Sequence, residues 1–326
     1  MYKRFIKNLI ILFVVISLTV GCKTSRYRYS SDNLMAKLYT ANEDQFAYGY
    51  AYDIFIPSKT EQRIVENISA ESYFVASTHA HNNDTSFIRY KNPYNEMPIA
   101  SLTKLMTMLV ILRNCEDLDE VYEVPADAIN LERNASVANL QAGDKVNVKD
   151  LLYALMLPSG NDAALTLAIN CAGGSVDNFS IMMNNEASRL GAMHTHFVNP
   201  HGLNSNYHYS CCYDLYLIIR QLLKYPIFSE ITSTRTYNAT VTDLTGNKKE
   251  LVWENTNYFV MGEMVINSNV SLVAGKTGYT QNAGDCLAIV SKSVNNEEEY
   301  ISIVLNATSK SNVYRNTNKL LAAIGK

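Results

Sequence analysis

Hydrophobic residues recur at helical spacing through the middle of the chain and form short continuous runs towards its two ends. The helical spacing predicts helices over 101–113, 146–157, 162–171, 176–190, 214–223 and 312–324. The short runs predict strands over 72–78, 86–91, 272–276, 286–292 and 300–307, the first two joined as a hairpin through Asn82-Asn83-Asp84. This order indicates an α/β fold, with one sheet built from both ends of the chain and a mostly helical insertion at roughly 115–235.

The start of the chain has the pattern of an export signal. Three basic residues in the first seven positions precede an apolar run at 9–20, LIILFVVISLTV. The run is shorter than the roughly 20 residues that a membrane-spanning helix needs. Thr19-Val20-Gly21-Cys22 resembles a bacterial lipoprotein signal, in which Cys22 becomes the lipidated N-terminus; a plain secretory signal with a chance cysteine is the alternative. We therefore expect a signal peptide at 1–21, a lipid-anchored tether and extension at 22–68, and a folded domain at 69–326.

Composition narrows the class of protein further. Of 326 residues, 47% are hydrophobic and 18% charged, which is typical of a globular chain. The net charge of −3 includes no basic excess, so no nucleic-acid partner is expected. The remaining cysteines show no C-x-x-C spacing, and although export would permit disulfides, we expect them to be small buried hydrophobic residues. They are Cys115, Cys171, Cys211, Cys212 and Cys286.

The first motif that can carry chemistry is S-x-x-K, which occurs once in the chain. Ser101 and Lys104 are three residues apart, so a helix places them on one face. A serine is a weak nucleophile until a neighbouring base removes its proton. A lysine can be that base if burial or a nearby positive charge lowers its pKa. The simpler interpretation of a lone S-x-x-K is an exposed serine beside a salt-bridging lysine.

Two further motifs follow in order, S-x-N and K-T-G. Ser159-Gly160-Asn161 lies between two predicted helices, where it could equally be a helix cap and a turn. Lys276-Thr277-Gly278 ends a predicted strand, where the lysine and the threonine hydroxyl suit a carboxylate and the glycine lets a substrate backbone approach. Each motif alone is weak evidence, but the ordered set of three is specific.

The ordered set resembles the low-molecular-mass penicillin-binding proteins that are serine D-alanyl-D-alanine carboxypeptidases. The resemblance runs from about Ile68 to Lys326 and includes PIASLTKLMT, LPSGNDAALTLA, HFVNPHGL and AGKTGYTQNAGDCL. It implies the β-lactamase/penicillin-binding-protein-like transpeptidase fold, an antiparallel sheet flanked by helices plus a mostly helical subdomain. It also implies that 69–326 would be a D,D-carboxypeptidase catalytic domain.

The resemblance implies roles for individual residues. Ser101 would be acylated by the penultimate D-alanine, Lys104 would be the base, and Ser159 would support proton transfer. The substrate-binding residues would be Asn161, Lys276, Thr277, Gly278 and Tyr279. The backbone N–H groups of Ser101 and Tyr279 would form the oxyanion hole. Some members also carry an arginine that helps to bind the carboxylate; the matching position here holds Val313, with Arg315 nearby.

The same resemblance implies the partners. The substrate would be the peptidoglycan stem peptide, and β-lactam antibiotics would be acylating inhibitors. The lipoprotein-like signal, in turn, implies that the chain would be exported and held at the outer face of the bacterial cell membrane by lipid on Cys22. No cofactor and no metal are expected.

Three other functions remain to be weighed. A class A β-lactamase shares the fold but needs a water-activating glutamate, and Leu190 to Tyr213 contains no Asp or Glu. A zinc peptidase would need converging ligands; histidines occur at 79, 81, 194, 196, 201 and 208, but no H-E-x-x-H is present. A degenerate binding lipoprotein would have lost Ser101, Lys104 or Lys276, and all three are present.

Overall fold

A computed structural model describes residues 55–78, 88–203 and 205–324. The predicted signal peptide, Cys22 and most of the predicted tether lie outside these residues, as do His79, His81 and the predicted turn at 82–84. No helix in the described part of the chain combines the length and the apolar character that crossing a bilayer requires.

A five-stranded antiparallel sheet forms the centre of the fold. Its order is β2-β1-β9-β8-β7, so β7 lies at one edge. The strands are β1 (Ala70–Ser77), β2 (Arg89–Lys91), β7 (Val270–Thr280), β8 (Gly284–Ser293) and β9 (Glu299–Ala307). The predicted sheet built from both ends of the chain is therefore confirmed.

Eight α-helices accompany the sheets in the described residues. They are α1 (Thr103–Asn114), α2 (Val148–Met156), α3 (Asn161–Cys171), α4 (Val176–Leu190), α5 (Cys212–Leu222), α6 (Pro226–Ser233), α7 (Tyr258–Met261) and α8 (Lys310–Leu321). Six correspond to predicted helices, with ends that differ by up to three residues. Each of residues 103–111 in α1 is buried, because its apolar run, LMTMLVIL, lies in the middle of the main hydrophobic core.

Helices cover both faces of the central sheet. On one face, Phe74 and Ile303 join α1 and α5 in the main core. On the other face, Val75 and Val304 join α8 in a second apolar cluster. The sheet thus lies between two helical layers, as the predicted fold class requires.

The insertion contains a second sheet that the sequence pattern did not predict. It has four antiparallel strands in the order β3-β4-β5-β6, namely β3 (Val121–Glu123), β4 (Lys145–Asn147), β5 (Thr236–Thr242) and β6 (Lys248–Glu254). Two of these strands are only three residues long. The other two bury single side chains, Ala239 and Val241 on β5 and Trp253 on β6, and therefore present no continuous apolar run.

Part of the predicted N-terminal extension lies against the domain. Phe55 is buried in the main core. The backbones of Arg63 and Tyr90 exchange two hydrogen bonds, of 2.8 and 3.1 Å. Residues 55–68 thus contribute contacts to the folded part, while the boundary at 69 stays a prediction.

The five cysteines of the described residues are all free thiols. Cys211, Cys212 and Cys286 are buried, and Cys115 and Cys171 are partly buried. Burial also raises the pKa of each of these thiols, which keeps them protonated and unreactive.

Candidate active site

Ser101 lies in a tight turn at the start of the central helix. One turn of 3₁₀ helix, Ala100–Leu102, precedes α1, so Ser101 and Lys104 stand one helical turn apart. The Lys104 Nζ lies 3.0 Å from the Ser101 Oγ. The predicted contact between the hydroxyl and the amine is therefore present.

The turn that carries Ser101, Ala100–Leu102, is called the nucleophile turn below, and its backbone conformation is unusual. Ala100 has φ of 47°, in the left-handed region that residues with a side chain seldom adopt. Its carbonyl accepts a 2.8 Å hydrogen bond from the Thr103 hydroxyl, which also contacts the His208 Nε2 at 2.7 Å. Gly202 approaches so closely that a Cβ there would lie 1.9 Å from the Ala100 oxygen.

Replacing Gly202 with alanine should therefore damage both folding and reactivity. Alanine at φ of +90° costs about 1 kcal/mol in itself, and here the backbone of Ala100 must also move. The control is Gly246→Ala, since Gly246 has φ of +89° and nothing within 4 Å of a Cβ. We expect a clearly larger loss of thermal stability and of Ser101 acylation for Gly202→Ala; equal effects of the two substitutions would contradict this account.

Lys104 is fully buried and has three oxygen neighbours. Its Nζ lies 2.7 Å from Asn161 Oδ1, 2.9 Å from the His201 carbonyl and 3.0 Å from Ser101 Oγ. Burial, and next the charge of Lys276, hold the pKa of Lys104 well below its usual range. When the amine is neutral, its two N–H groups satisfy the carbonyl-type oxygens, which can only accept. Its lone pair then faces the Ser101 hydroxyl, as a general base requires.

The S-G-N motif forms the tight connection that leads into α3. Ser159 is 5% exposed and has φ of 62°, while Asn161 begins the helix. Gly160 has no room for a side chain, because a Cβ would lie 2.9 Å from the Ala154 oxygen. This connection turns the Asn161 side chain towards Lys104 and the Ser159 hydroxyl towards Lys276.

Asp162 ties this connection to the loop at 134–140. Its carboxylate accepts hydrogen bonds from the backbone N–H groups of Ala138, Leu140 and Ala163, at 2.8 to 3.1 Å. Burial raises the pKa of Asp162, and these hydrogen bonds act in the opposite direction. These hydrogen bonds hold the loop beside Ser159. Asn134 and Ser136 of the loop line a cavity that Ser101 and Ser159 also line.

The K-T-G motif lies inside the edge strand β7. Lys276 is buried, and its Nζ donates to Ser159 Oγ and to the Thr277 carbonyl, both at 3.0 Å. Burial lowers the pKa of Lys276 to about 7. A Cβ on Gly278 would lie 3.0 Å from the Ile99 oxygen and 3.2 Å from the Ser101 nitrogen, so glycine lets β7 pass this close to the nucleophile turn without displacing its backbone.

These elements surround a cavity of about 470 Å³, which we call the main cavity. Ser101, Ser159, Thr277, Gly278 and Tyr279 line it, while Lys104, Asn161 and Lys276 lie buried behind its wall. Tyr279 is 66% exposed at the mouth. The structure thus brings together all the predicted site residues except Cys22, which lies outside the described residues.

Sequence reasoning missed several polar residues of this cavity, among them Asn134 and Ser136 of the loop held by Asp162. The hydroxyl oxygens of Thr256 and Thr277 are 2.7 Å apart. Asp285 and Lys310 line the cavity wall near Val313. The Lys310 Nζ stands 3.8 Å from the centre of the Tyr258 ring. Lys310 precedes Val313 by one helical turn, and this spacing is the sequence signal that could have revealed it. Arg315 is exposed and does not line the cavity.

The described histidines do not form a metal centre. No group of three or more His, Cys, Asp or Glu in residues 55–78, 88–203 and 205–324 is placed to hold an ion. Burial lowers the pKa of His201 to about 3 and that of His208 to about 4, so both are neutral near pH 7.

Comparison with known proteins assigns this arrangement to a family of serine peptidases. Residues 58–309 match the peptidase S11 family, D-alanyl-D-alanine carboxypeptidase. The match covers well over half of the chain, and the chain therefore belongs to this family.

Individual relatives agree with the assignment. The D-alanyl-D-alanine carboxypeptidase DacF of Bacillus subtilis is 31% identical over 247 residues, which are 73% of this chain and 59% of that protein. A D-alanyl-D-alanine endopeptidase of Escherichia coli is 32% identical over 238 residues, 73% of each chain. The chain thus spans less than two thirds of the length of several curated relatives, among them DacF.

A solved structure shares the fold. The crystal structure of the Streptomyces K15 DD-transpeptidase superimposes with a TM-score of 0.71 at 28% identity, covering 83% of this chain and 98% of that one. The expected penicillin-binding-protein-like transpeptidase fold is therefore confirmed.

Proposed function

We propose that this chain is a serine D-alanyl-D-alanine carboxypeptidase that removes the terminal D-alanine from peptidoglycan stem peptides and is acylated by penicillin. One observation carries the proposal: the 3.0 Å contact between Ser101 Oγ and the buried Lys104 Nζ, at the wall of a cavity lined by the K-T-G strand. The family assignment supports the same reaction class.

Acylation follows from the contacts around Lys104. Neutral Lys104 takes the proton of Ser101 while the Ser101 Oγ attacks the carbonyl carbon of the penultimate D-alanine. The backbone N–H groups of Ser101 and Tyr279 stabilise the oxygen that becomes negative. The C–N bond then breaks, and D-alanine leaves with a proton on its nitrogen.

A second lysine–serine pair can deliver that proton. Ser159 Oγ lies 3.0 Å from Lys276 Nζ and lines the cavity. Because burial lowers the pKa of Lys276 to about 7, this amine can both give and take a proton near neutral pH. Water then attacks the acyl-enzyme and restores Ser101, with release of the shortened peptide.

Thr277, Thr256 and Lys310 form the end of the cavity that suits the substrate carboxylate. The two threonine hydroxyls are hydrogen-bonded to each other at 2.7 Å, and one of them remains able to donate to an anion. Lys310 brings a positive charge to the same wall, supported by the Tyr258 ring. In this proposal Lys310 takes the role that the family resemblance gives to an arginine in some members.

Lys310→Ala should lower kcat/KM for a peptide that ends in D-alanyl-D-alanine by about fivefold to tenfold, because a charge-assisted contact to the carboxylate is lost. Lys310→Arg should retain most of the activity. The control is Arg315→Ala on the same helix, which should behave as the unaltered protein. Steady-state kinetics with the carboxylate peptide and its C-terminal amide separates the causes: a loss of equal size for both peptides would rule out carboxylate binding.

The class A β-lactamase alternative is not favoured. The relatives are D-alanyl-D-alanine peptidases, and residues 190–213 carry no carboxylate that could activate water. Among the described residues that line the main cavity, Asp285 is the one acid. It lies on the wall beside Lys310.

The proposed location is the outer face of the cell membrane, where the stem peptides are exposed. The apolar run at 9–20 and the Gly21-Cys22 pair support export and a lipid anchor on Cys22. Metabolic labelling with a fatty acid would test the anchor, since Cys22→Ser should abolish incorporation.

The function is tested by incubating the protein with Nα,Nε-diacetyl-L-lysyl-D-alanyl-D-alanine and measuring free D-alanine. We expect release by the unaltered protein, none by Ser101→Ala, and no loss after exhaustive chelation, since the reaction needs no ion. Release that persists in Ser101→Ala would contradict the assignment of the nucleophile. Loss on chelation that zinc restores would favour a metallopeptidase.

A further inference from the structure

A second cavity adjoins the nucleophile turn. Its volume is about 360 Å³, and it shares no lining residue with the main cavity. The two nevertheless meet at neighbouring positions, because Ala100 lines the second cavity and Ser101 lines the main one. A molecule bonded to Ser101 is therefore adjacent to both.

The edge strand β7 gives the two cavities an order. Thr277 lines the main cavity, Gly278 contacts the nucleophile turn, and Asn282, just beyond the strand, lines the second cavity. A peptide lying along this edge with its carboxylate near Thr277 and its scissile carbonyl at Ser101 continues towards Asn282. Neighbouring residues of an extended chain are about 3.3 Å apart, so the residue before the D-alanyl-D-alanine pair reaches the second cavity.

The wall of the second cavity is preformed. Met97 and Ser210 exchange two backbone hydrogen bonds, and so do His196 and Tyr209. His208 is fixed between Thr103 Oγ1 and the Val198 N–H. A cavity built in this way needs little rearrangement to receive a side chain.

The cavity has one charged group. Glu96 lines it, and because His208 is neutral the remaining described lining residues carry no formal charge near pH 7. Glu96 Oε1 contacts His194 Nδ1 at 3.3 Å, which positions the carboxylate. Its second oxygen has no hydrogen-bond partner among the described residues. The side chain is 49% exposed, so a ligand can reach it.

From this arrangement we infer that the second cavity binds the side chain of the residue before the D-alanyl-D-alanine pair, and that Glu96 selects a side chain that ends in a free primary amine. The inference rests on the proposed function, because it takes the scissile carbonyl to lie at Ser101. Ser205, Asn206 and Asn282 offer further hydrogen bonds to the ammonium group and to the peptide backbone.

Lysine and diaminopimelate are two diamino acids whose side chains carry such an amine. Diaminopimelate adds a carboxylate beside its amine, and this group would be repelled by Glu96 in a cavity that holds no described positive side chain. The geometry therefore favours a lysine-type side chain, or a diaminopimelate whose carboxylate is amidated.

The test compares Nα-acetyl-L-lysyl-D-alanyl-D-alanine with its Nα,Nε-diacetyl form. The unaltered protein should show a kcat/KM about fivefold higher for the free amine at low salt, the size of a partly exposed ion pair, and less at high salt. Glu96→Gln should remove the difference by lowering kcat/KM for the free amine to about that of the diacetyl form. Glu250→Gln on the small sheet, which lines neither cavity, is the control and should keep the preference.

The outcomes separate this inference from the function on which it rests. Equal turnover of the two peptides by the unaltered protein, or a preference that survives Glu96→Gln, would overturn the inference while D-alanine release still supported the function. A higher kcat/KM for a diaminopimelyl peptide than for the lysyl peptide would overturn the preference for a lysine-type side chain. Absence of D-alanine release from every peptide would overturn the function, and with it the inference.

Discussion

Lys104→Arg should slow the acylation of Ser101 by about 10²–10⁴-fold, the usual contribution of a general base. Arginine keeps the positive charge but does not lose a proton in proteins, so it cannot accept the proton of the serine. The measurement is the rate of labelling by a fluorescent penicillin. In the unaltered protein the same rate should fall as the pH is lowered through the pKa of Lys104, because only the neutral amine is a base.

The bulk of arginine in a fully buried position calls for a second variant. Lys104→Met has a similar length, carries no base and suits a buried site. We expect Lys104→Met to unfold at no lower temperature than the unaltered protein and to acylate as slowly as Lys104→Arg. Near-normal labelling of both variants would mean that another group deprotonates Ser101.

The penicilloyl adduct on Ser101 should persist far longer than the acyl group left by a peptide. After peptide cleavage the D-alanine departs and water can enter its place, whereas the penicillin leaving group stays tethered in the cavity. Residues 190–213 supply no carboxylate to activate water in its presence. The expected difference in deacylation is about 10²–10⁴-fold, the effect of a missing base. Intact-mass spectrometry after removal of excess drug follows the adduct.

Asp285 provides the control for this experiment. It is the one acid among the described residues that line the main cavity. Burial raises the pKa of Asp285, and the charge of Lys310 lowers it. Asp285→Asn should leave the lifetime of the adduct unchanged. An adduct that disappears within seconds, together with catalytic destruction of the antibiotic, would instead identify a β-lactamase, and a longer lifetime in Asp285→Asn would then identify its base.

The large sheet and most helices could be predicted because each buries a continuous or periodic apolar face. β8 and β9 are buried along nearly their whole length, and the helix at 176–190 was predicted with both ends correct. The small sheet escaped prediction because β5 buries only Ala239 and Val241. Such strands are defined by their pairing partners rather than by their own hydrophobic pattern.

The motifs located the reactive groups but not the groups that support them. Ser101 and Lys104 are close in sequence, so their contact follows from helical geometry. Gly202 and Lys310 lie far from them along the chain and reach the site only through the fold. Glu96 is five residues from Ser101, yet nothing in its local pattern distinguishes it from an ordinary surface acid.

The two buried lysines also affect the folding equilibrium of the whole protein. Between pH 7 and 10.5, Lys276 is largely protonated in the unfolded chain and largely neutral in the native one, so unfolding takes up a proton and stability rises with pH. Below about pH 7 both states hold the proton and the native state bears the full cost of the buried charge, at most roughly 5 kcal/mol. Lys104 adds to this cost in the same direction. The fold therefore gives up stability to keep its reactive amines dry, and mildly alkaline buffers should suit its purification and storage.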